Sequence, residues 1–355
     1  MTEESTSYYT FVTIQFCGAD AQIRSAISRQ NHFLMAKTLP EYADWLDERQ
    51  LIWPKVPVAT PAKAKPFVKP LPGIRGVSWS VYGTLLSVVD GQFIFEPPLD
   101  EEIRLEIALE KTIHEFNMWN SMVRRPGKPS AYMMLQYRDV VSTMRMAGTG
   151  RKGDLTEVDS TLIWGKLVGR LLQKEYTFDE SIYGDFGHLC EKVAYFFHSA
   201  LQGVRGAANA LTVLKMIPGS NRLQGLLADG QSFTLVQLLR GLRGQGKLLP
   251  LKQMFSPHLV TMSYREQVRK PSRSLYQLNV ARFAQAGIEP HEILHIGSRL
   301  ADDLAMAKQA GMKTALYAGD KRSLQATQQD MKDPAIRPDR LITDLIQLRE
   351  ILIAD

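Results

Sequence analysis

The sequence predicts an α/β protein with a doubly wound parallel sheet, an inserted all-helical segment and an N-terminal extension. Two observations predict the sheet. A short apolar run begins at residue 76 and stops at Gly83 and Thr84, and between residues 223 and 319 apolar runs alternate with helical patterns. Such alternation is typical of parallel βαβ units. The third observation is a stretch from about 100 to 214 in which apolar residues recur at helical spacing.

The predicted strands are short and the predicted helices between them are about ten residues long. Strands are expected within 76–86, 223–230, 258–262, 292–297 and 313–319, and helices near 234–242, 275–287 and 301–311. In a parallel sheet of this kind, ligands bind at the carboxyl ends of the strands. We therefore expect functional residues directly after the strands.

The inserted segment is predicted to be helical almost throughout. Its first helix starts behind Pro98, and Ile103, Ile107 and Ile113 are expected on its apolar face. Glycines interrupt the helical pattern at 148–153, and further helices are expected at 163–172 and 189–201.

Residues 1–70 form an extension of mixed character. Tyr8–Phe16 is rich in aromatic and β-branched residues, and Ala21–Leu46 carries Ile23, Ile27, Leu34 and Tyr42 at helical spacing. Six prolines between residues 54 and 72 exclude a helix and predict an extended linker. We predict three parts: an extension over 1–70, a core formed by 71–90 and 201–355, and an inserted segment over 91–200.

Composition points to a globular protein outside the membrane. Of the 355 residues, 45% are hydrophobic and 23% are charged, and the net charge of +6 is spread thinly, with one basic cluster at 265–273. This pattern argues against nucleic-acid binding. The start of the chain is acidic, and no apolar run approaches the roughly 20 residues that span a bilayer. Cys17 and Cys190 lack metal-ligand spacing. We therefore expect reduced thiols and a cytoplasmic location.

Four short segments follow predicted strands and carry polar residues. In order and content they resemble the motifs of the haloacid-dehalogenase-like (HAD-like) hydrolase superfamily, and the resemblance covers about residues 74–330. Motif one of that family reads Asp-x-Asp/Tyr-Gly-Thr-Leu, where residues 80–85 read Ser-Val-Tyr-Gly-Thr-Leu. Motifs two, three and four resemble Ala228-Asp229-Gly230, Lys270-Pro271 and Gly297-Ser298-Arg299-Leu300-Ala301-Asp302-Asp303.

The resemblance implies a Rossmannoid core with a helical cap inserted after motif one, as in the phosphoglycolate-phosphatase and haloacid-dehalogenase-like branch. The inserted segment, residues 91–200, is called the helical cap from here on. The family reaction begins with attack by the first motif-one Asp, which forms a covalent aspartyl intermediate. That position is Ser80 in this chain.

The replacements bear directly on catalysis. A serine hydroxyl needs an adjacent base to act as a nucleophile. His295 is expected to be a packed strand residue, so it is not expected to serve as that base. Tyr82 occupies the position of the family's general acid, where its ordinary pKa near 10 suits a hydrogen-bond donor better. Family dehalogenases also carry Tyr at this position. The catalytic candidates, in degenerate form, are therefore Ser80, Tyr82 and Lys270.

The substrate- or phosphate-binding candidates are Thr84, Ala228, Asp229, Gly230 and Lys270. Ala228 lacks the motif-two hydroxyl, although the backbone N–H groups of the next two residues could still donate. An Asp at 229 would repel a phosphate. Lys270 has two open interpretations, a structural ion pair with Asp303 or a site for a bound anion.

A magnesium site is weakened by two further replacements. Ser80 and Ser298 stand where the family implies carboxylate ligands, which leaves Asp302 and Asp303. One of this pair, Asp303 first, could hold a metal, but the favoured interpretation is that both cap the helix starting at 301. We expect no cofactor, and Mg²⁺ only if the site is active.

These replacements lead to a pseudo-hydrolase hypothesis: a HAD-like protein without aspartyl-nucleophile chemistry that binds a ligand or partner. The expected partners are a small anionic ligand, and a protein bound through the extension or the helical cap. The alternative is an active, phosphatase-like hydrolase with a rebuilt site that uses Ser80, or Asp229 and Asp302. A dinucleotide-binding enzyme is disfavoured because no Gly-x-Gly-x-x-Gly follows the first core strand.

Overall fold

A computed structural model describes residues 36–122 and 127–352 of the chain. The predictions for Tyr8–Phe16, for the apolar positions Ile23, Ile27 and Leu34, and for Cys17 lie outside the described residues. The strands are β1 (Gly76–Trp79), β2 (Leu86–Val88), β3 (Leu155–Thr156), β4 (Val204–Gly206), β5 (Leu223–Ala228), β6 (Val260–Met262), β7 (Val268–Arg269), β8 (Ile293–Gly297), β9 (Lys313–Tyr317) and β10 (Arg340–Ile342).

The α-helices are α1 (Leu39–Glu48), α2 (Glu102–Glu115), α3 (Pro129–Met146), α4 (Ser160–Leu172), α5 (Glu180–Tyr183), α6 (Phe186–Leu201), α7 (Ala210–Gly219), α8 (Thr234–Arg243), α9 (Leu251–Met254), α10 (Ser263–Glu266), α11 (Arg273–Gln285), α12 (Ala305–Gln309), α13 (Gln328–Lys332) and α14 (Leu348–Ile351). Short 3-10 turns lie at Leu99–Glu101, Met118–Ser121, Pro257–Leu259, Pro290–Glu292 and Leu345–Gln347, and a π-helical turn at Leu300–Leu304.

Six strands form a parallel sheet in the order β10-β9-β8-β1-β5-β6. β1 lies inside the sheet, with Ser78 opposite Gly225 of β5 and His295 of β8. From β1 the chain winds to one side through β5 and β6 and returns to the other through β8, β9 and β10. The predicted doubly wound α/β core is confirmed, and β10 is a strand that the apolar pattern did not predict.

Both faces of the sheet are covered by helices, which explains why its strands are apolar without alternation. On β5, Leu226 and Ala228 pack into the cluster that includes α7 and α8, whereas Leu227 packs with α11 on the opposite face. Successive strand residues point to opposite faces, so every position of this central strand after Leu223 is buried.

The helical cap lies between the two strands of a small antiparallel ribbon, β2 and β4. Its predicted helices are confirmed. The apolar face proposed for the first of them is right for Ile113, which is buried, and wrong for Ile103 and Ile107. Ile103 and Ile107 of α2 are 58% and 43% exposed. The buried face uses positions 105, 108, 109, 112 and 113, which follow the i, i+3, i+4 pattern one step around the helix. No helix in the described residues has the length and apolarity needed to cross a bilayer.

The described part of the extension begins with α1, which packs against the helical cap. Its N-cap is Thr38, which forms a capping box with Glu41, so this helix starts at Leu39. Tyr42 and Leu46 are fully buried among the cap helices.

Residues 51–71 run over the core as a strap without helix or regular strand, as the prolines predicted. Phe67 and Leu341 exchange backbone hydrogen bonds of 2.8 and 3.2 Å, and Ala62 N–H donates to the carbonyl of Ala318. The strap therefore follows the β10 edge of the sheet. The division of the chain into three parts stays a prediction.

Candidate functional site

A cleft of about 380 Å³ lies at the carboxyl ends of the central strands, beneath the helical cap. Its floor comes from the segments that follow β1, β5, β7 and β8, and its roof comes from the cap. The lining residues are Ser80, Val81, Tyr82, Gln92, Phe93, Ile94, Phe95, Glu96, Arg145, Glu157, Val158, Asp229, Gly230, Gln231, Arg269, Lys270, Ser298, Arg299 and Asp303. The four motif segments thus meet in one place.

Ser80 follows β1 and is 7% exposed. Its Oγ donates to Asp303 Oδ2 at 2.5 Å and accepts from Lys270 Nζ at 2.7 Å. The turn after it requires glycine, because Gly83 has φ +81° and an added Cβ would lie 2.7 Å from Ser298 Oγ. Motif one therefore keeps its backbone shape although its first carboxylate is gone.

Asp303 is the centre of a buried polar cluster formed with Ser80, Lys270, Tyr276 and His295. Its Oδ1 lies 2.5 Å from Lys270 Nζ, 2.9 Å from His295 Nε2 and 3.0 Å from the Tyr276 hydroxyl. The carboxylate sits in the π-helical turn after β8, which aims it at the sheet. With Ser80 on Oδ2, four donors surround this one side chain.

The charges in this cluster balance each other. Burial would raise the pKa of Asp303, but Lys270 and His295 hold that pKa well below its usual range. Burial lowers the pKa of Lys270, an effect that Asp303 opposes. Both side chains are 1% exposed and 2.5 Å apart, so an ionised pair is the state we favour. Of the two interpretations of Lys270, the geometry favours the structural ion pair.

His295 is a packed strand residue, as predicted, and it also takes part in the buried polar cluster. It is fully buried within β8 and its pKa is lowered, first by burial. Its ring joins two neighbours, with Nε2 2.9 Å from Asp303 Oδ1 and Nδ1 3.1 Å from Ser78 Oγ. It orients the Asp303 carboxylate. A polar residue in an otherwise apolar strand was the signal that could have indicated this.

The residues present do not fit a magnesium ion. Both oxygens of Asp303 already accept hydrogen bonds, and an ammonium group contacts the carboxylate where a cation would bind. Asp302 is exposed and does not line the cleft. Within the described residues no group of three His, Cys, Asp or Glu side chains is arranged to hold a metal.

The favoured interpretation of the acidic pair as helix caps is also wrong. The turn at Leu300–Leu304 has no side-chain cap hydrogen bond. Asp303 is drawn inward because a buried lysine and histidine offer it stronger partners than exposed backbone N–H groups would.

Motif two uses its acidic residue to bind neighbouring motifs. Asp229 accepts from the backbone N–H of Lys270 at 2.8 Å and from Arg299 Nη2 at 2.7 Å. Gly230 N–H donates to Ser263 Oγ at 2.9 Å. Both backbone and side-chain groups of this segment therefore have partners within the protein.

Three other predicted site residues are hydrogen-bonded or buried within the protein. The Tyr82 hydroxyl donates to Gln237 Oε1 at 2.6 Å, and burial raises its pKa far above 10. Thr84 is fully buried and Ala228 is 1% exposed. Neither of these two lines the cleft, so motif one and motif two offer no side-chain hydroxyl there other than Ser80 and Tyr82.

The helical cap contributes charged groups that sequence reasoning missed. Burial, together with the Asp229 carboxylate, raises the pKa of Glu157 to about 8. Arg145 pairs with Glu96 at 3.0 Å. Within the described residues Arg269 lines the cleft without a salt bridge. Glu157 and Arg145 lie far from the motifs in sequence, so spacing gave no signal for them, whereas Arg269 belongs to core strand β7 and directly precedes Lys270.

A set of hydrogen bonds, called here the cap–core latch, joins cap residues 154–161 to core residues 231–232 and 267–274. β3 pairs with β7, and the backbone N–H of Leu155 donates to Ser272 Oγ at 2.7 Å. The Gln231 amide accepts from Ser160 N–H at 2.8 Å and donates to the Val158 carbonyl at 2.9 Å. The latch closes one side of the cleft.

The fold and the site define a class of protein, a HAD-like core with a helical cap, and a comparison with known families agrees with the core. Residues 267–348 match the family model described as HAD-hydrolase-like, which confirms the resemblance read from the motifs. The match covers the last part of the core, which includes motifs three and four. No curated protein sequence matches the chain.

Several solved structures are similar to the chain at low identity. They include a 2-haloacid dehalogenase from Pseudomonas syringae (18% identity, TM-score 0.48, covering 78% of this chain and 97% of that one). A HAD phosphatase from Thermococcus onnurineus shares 14% identity (TM-score 0.41, coverage 78% and 97%). A HAD-hydrolase from Bacillus subtilis bound to magnesium shares 18% identity (TM-score 0.40, coverage 79% and 99%).

Proposed function

We propose that this chain is a HAD-like pseudo-hydrolase that binds a small anionic ligand in its cleft and performs no aspartyl-nucleophile chemistry. The observation that carries the proposal is Ser80 at the nucleophile position, with its Oγ held between Lys270 and Asp303. A neutral hydroxyl replaces the attacking carboxylate, and the lysine that would neutralise a substrate already has an anionic partner.

The balance of charge in the cleft supports an anionic ligand. Four basic and four acidic side chains line it. Three of the basic ones are paired, and Arg269 is the cation that remains available among the described residues. Because the pKa of Glu157 is about 8, this carboxyl is mostly protonated at pH 7, which leaves one net positive charge. A monoanion suits that charge better than a dianionic phosphate.

The competing function is hydrolysis with Ser80 as the nucleophile. The contact between Ser80 and Lys270 favours it, since a neutral lysine can activate a serine. Asp303 opposes it, because its carboxylate holds the ammonium in the charged form. A protein partner and a cytoplasmic location stay predictions from the sequence.

The test combines an activity assay with a binding assay. Purified protein is incubated with a panel of phosphomonoesters, with and without Mg²⁺, and released phosphate is measured. We expect no release above background. Robust Mg²⁺-dependent release that is lost in Lys270→Ala would overturn the proposal, and a fluorophosphonate adduct on Ser80 found by mass spectrometry would favour the competing function.

Binding is measured by calorimetry with small organic monoanions, ethanesulfonate among them. Arg269→Gln should weaken binding about tenfold. Arg273→Gln removes the same charge at an exposed position outside the cleft and should have little effect. Equal losses in both variants would show that net charge, and not the cleft, attracts the anion.

A further inference from the structure

The cleft shares its wall with a second, more open cavity of about 700 Å³. Gln92, Ile94, Glu96 and Arg145 line both of them. We call the second cavity the outer chamber. It lies between the segment that follows β2 and helix α3 of the cap. Because four residues face both cavities, a ligand long enough to pass the Glu96–Arg145 pair would occupy the two together.

Apart from Gln92, the surface of the outer chamber is apolar where it is not ion-paired. Ile94, Pro97, Pro98 and Leu99 line it, and the Leu99 side chain is 83% exposed. A large apolar side chain this exposed beside a cavity gains free energy when another apolar group covers it. The chamber thus favours hydrocarbon over a second polar group.

The charged residues of the outer chamber neutralise one another. Arg138 lies 3.4 Å and Arg145 3.0 Å from the Glu96 carboxylate. Asp90 accepts from Arg104 at 2.8 Å. Each of these cations has an anionic partner, so the chamber offers little to a charged head group. The available cation, Arg269, lies in the inner cleft.

The cap–core latch determines the direction in which a ligand can extend. It ties the cap to the core through β3, β7 and Gln231 on the side of motifs two and three. Extension toward that side would require these hydrogen bonds to break. The outer chamber is reached without breaking any of them.

We propose that the ligand is an elongated amphipathic monoanion, with its charged head in the inner cleft and its apolar tail in the outer chamber. This inference rests on the proposed function and adds to it the shape and chemical class of the ligand. Among the described residues, the inner cleft has an unpaired positive charge, which suits the charged head, and the outer chamber has paired charges and exposed hydrocarbon, which suit the apolar tail.

The experiment measures the binding of linear alkyl sulfonates from ethanesulfonate to decanesulfonate by calorimetry, below their micelle concentrations. Full burial of a methylene group strengthens binding about fourfold. The open chamber buries each methylene only partly, so we expect about a two- to threefold gain per methylene beyond butanesulfonate, up to about octanesulfonate.

Two matched variants locate the tail. Leu99→Asp should weaken octanesulfonate binding at least about fivefold and leave ethanesulfonate binding unchanged. Leu135→Asp makes the same change at a residue of α3 that is 66% exposed and lines neither cavity, so it should leave both unchanged.

The outcomes separate this inference from the proposed function. If ethanesulfonate binds and longer chains bind no better, the outer chamber is not a tail site while the proposed function stands. Equal losses in Leu99→Asp and Leu135→Asp would indicate adsorption to the surface and overturn the inference. If no sulfonate of any length binds, the proposed function itself fails.

Discussion

Removing the lysine of the buried cluster should destabilise the protein far more than removing the ion pair as a whole. In Lys270→Met the Asp303 carboxylate, 1% exposed, loses the ammonium 2.5 Å away. Leaving one charge of a buried pair without its partner costs about 3–5 kcal/mol, whereas replacing both partners by apolar groups costs much less. The double variant Lys270→Met/Asp303→Leu should therefore regain at least half of the loss, even though Ser80 and Tyr276 lose an acceptor.

The free energy of unfolding is measured by urea denaturation followed by circular dichroism at pH 7, with EDTA and with MgCl₂. We expect the wild type to be equally stable in both, because the residues present do not fit magnesium. Two results would refute the reasoning. One is a Lys270→Met variant within about 1 kcal/mol of the wild type, and the other is a double variant less stable than the single one.

The same cluster predicts an acid dependence with a defined sign. The pKa of Asp303 is held below that of an unfolded aspartate, about 3.9. Its contribution to stability is then complete above about pH 4 and is lost as the pH falls further. Urea titrations between pH 2 and pH 6 should show a steeper acid loss in the wild type than in Asp303→Asn, and parallel curves would contradict this.

Three further predictions concern other parts of the molecule. In Glu157→Gln the cost of ionising a carboxyl with a pKa of about 8 disappears. The free energy of unfolding of the variant should rise relative to that of the wild type as the pH rises from 4.5 to 8, and the gain should reach about 2 kcal/mol at pH 9. This is roughly half of the upper bound that the pKa shift of Glu157 sets, because water reaches the group. A difference in urea melts that stays constant with pH would contradict the prediction. Gln231→Ala removes part of the cap–core latch and should cost about 1–2 kcal/mol and increase hydrogen exchange in residues 155–160, with an unchanged exchange pattern as the opposing result. Gly83→Ala combines a positive φ with a clash against Ser298 and should lower the unfolding free energy by at least about 2 kcal/mol in thermal melts, whereas Gly148→Ala, which has open space, should change it little.

The sheet was predictable because its strands carry their own signal. A buried parallel strand must be apolar on both faces, so the runs at β1, β5 and β8 stand out in the sequence. The edge strand β10, with Arg340 among its three residues, has no such signal. Two of the three isoleucines proposed for the buried face of α2 are exposed, because tertiary packing selected the face that holds Leu105 and Leu109 together with Ile113.

The candidate site was predictable only where a residue belongs to a motif. Ser80, Lys270 and Asp303 were expected near one another, and they are in contact. The role of Glu157 depends on its closeness to Asp229, a motif residue of a distant segment. His295 lies near Asp303 in sequence, but its role also depends on Ser78 of the neighbouring strand. Such contacts arise from the fold, and no spacing in the sequence encodes them.

The strap has a consequence for the way the chain behaves when it is shortened. A strand at the end of a sheet presents unpaired N–H and C=O groups that can pair with another molecule. Phe67 occupies those groups on β10 through its two hydrogen bonds with Leu341. A chain cut at residue 70 would keep every motif of the cleft, but it would lose α1 from the cap core and expose this edge. The prolines around Phe67 are poor partners for further strands, so the strap also ends the sheet, and the first cost of losing it would be aggregation rather than loss of binding.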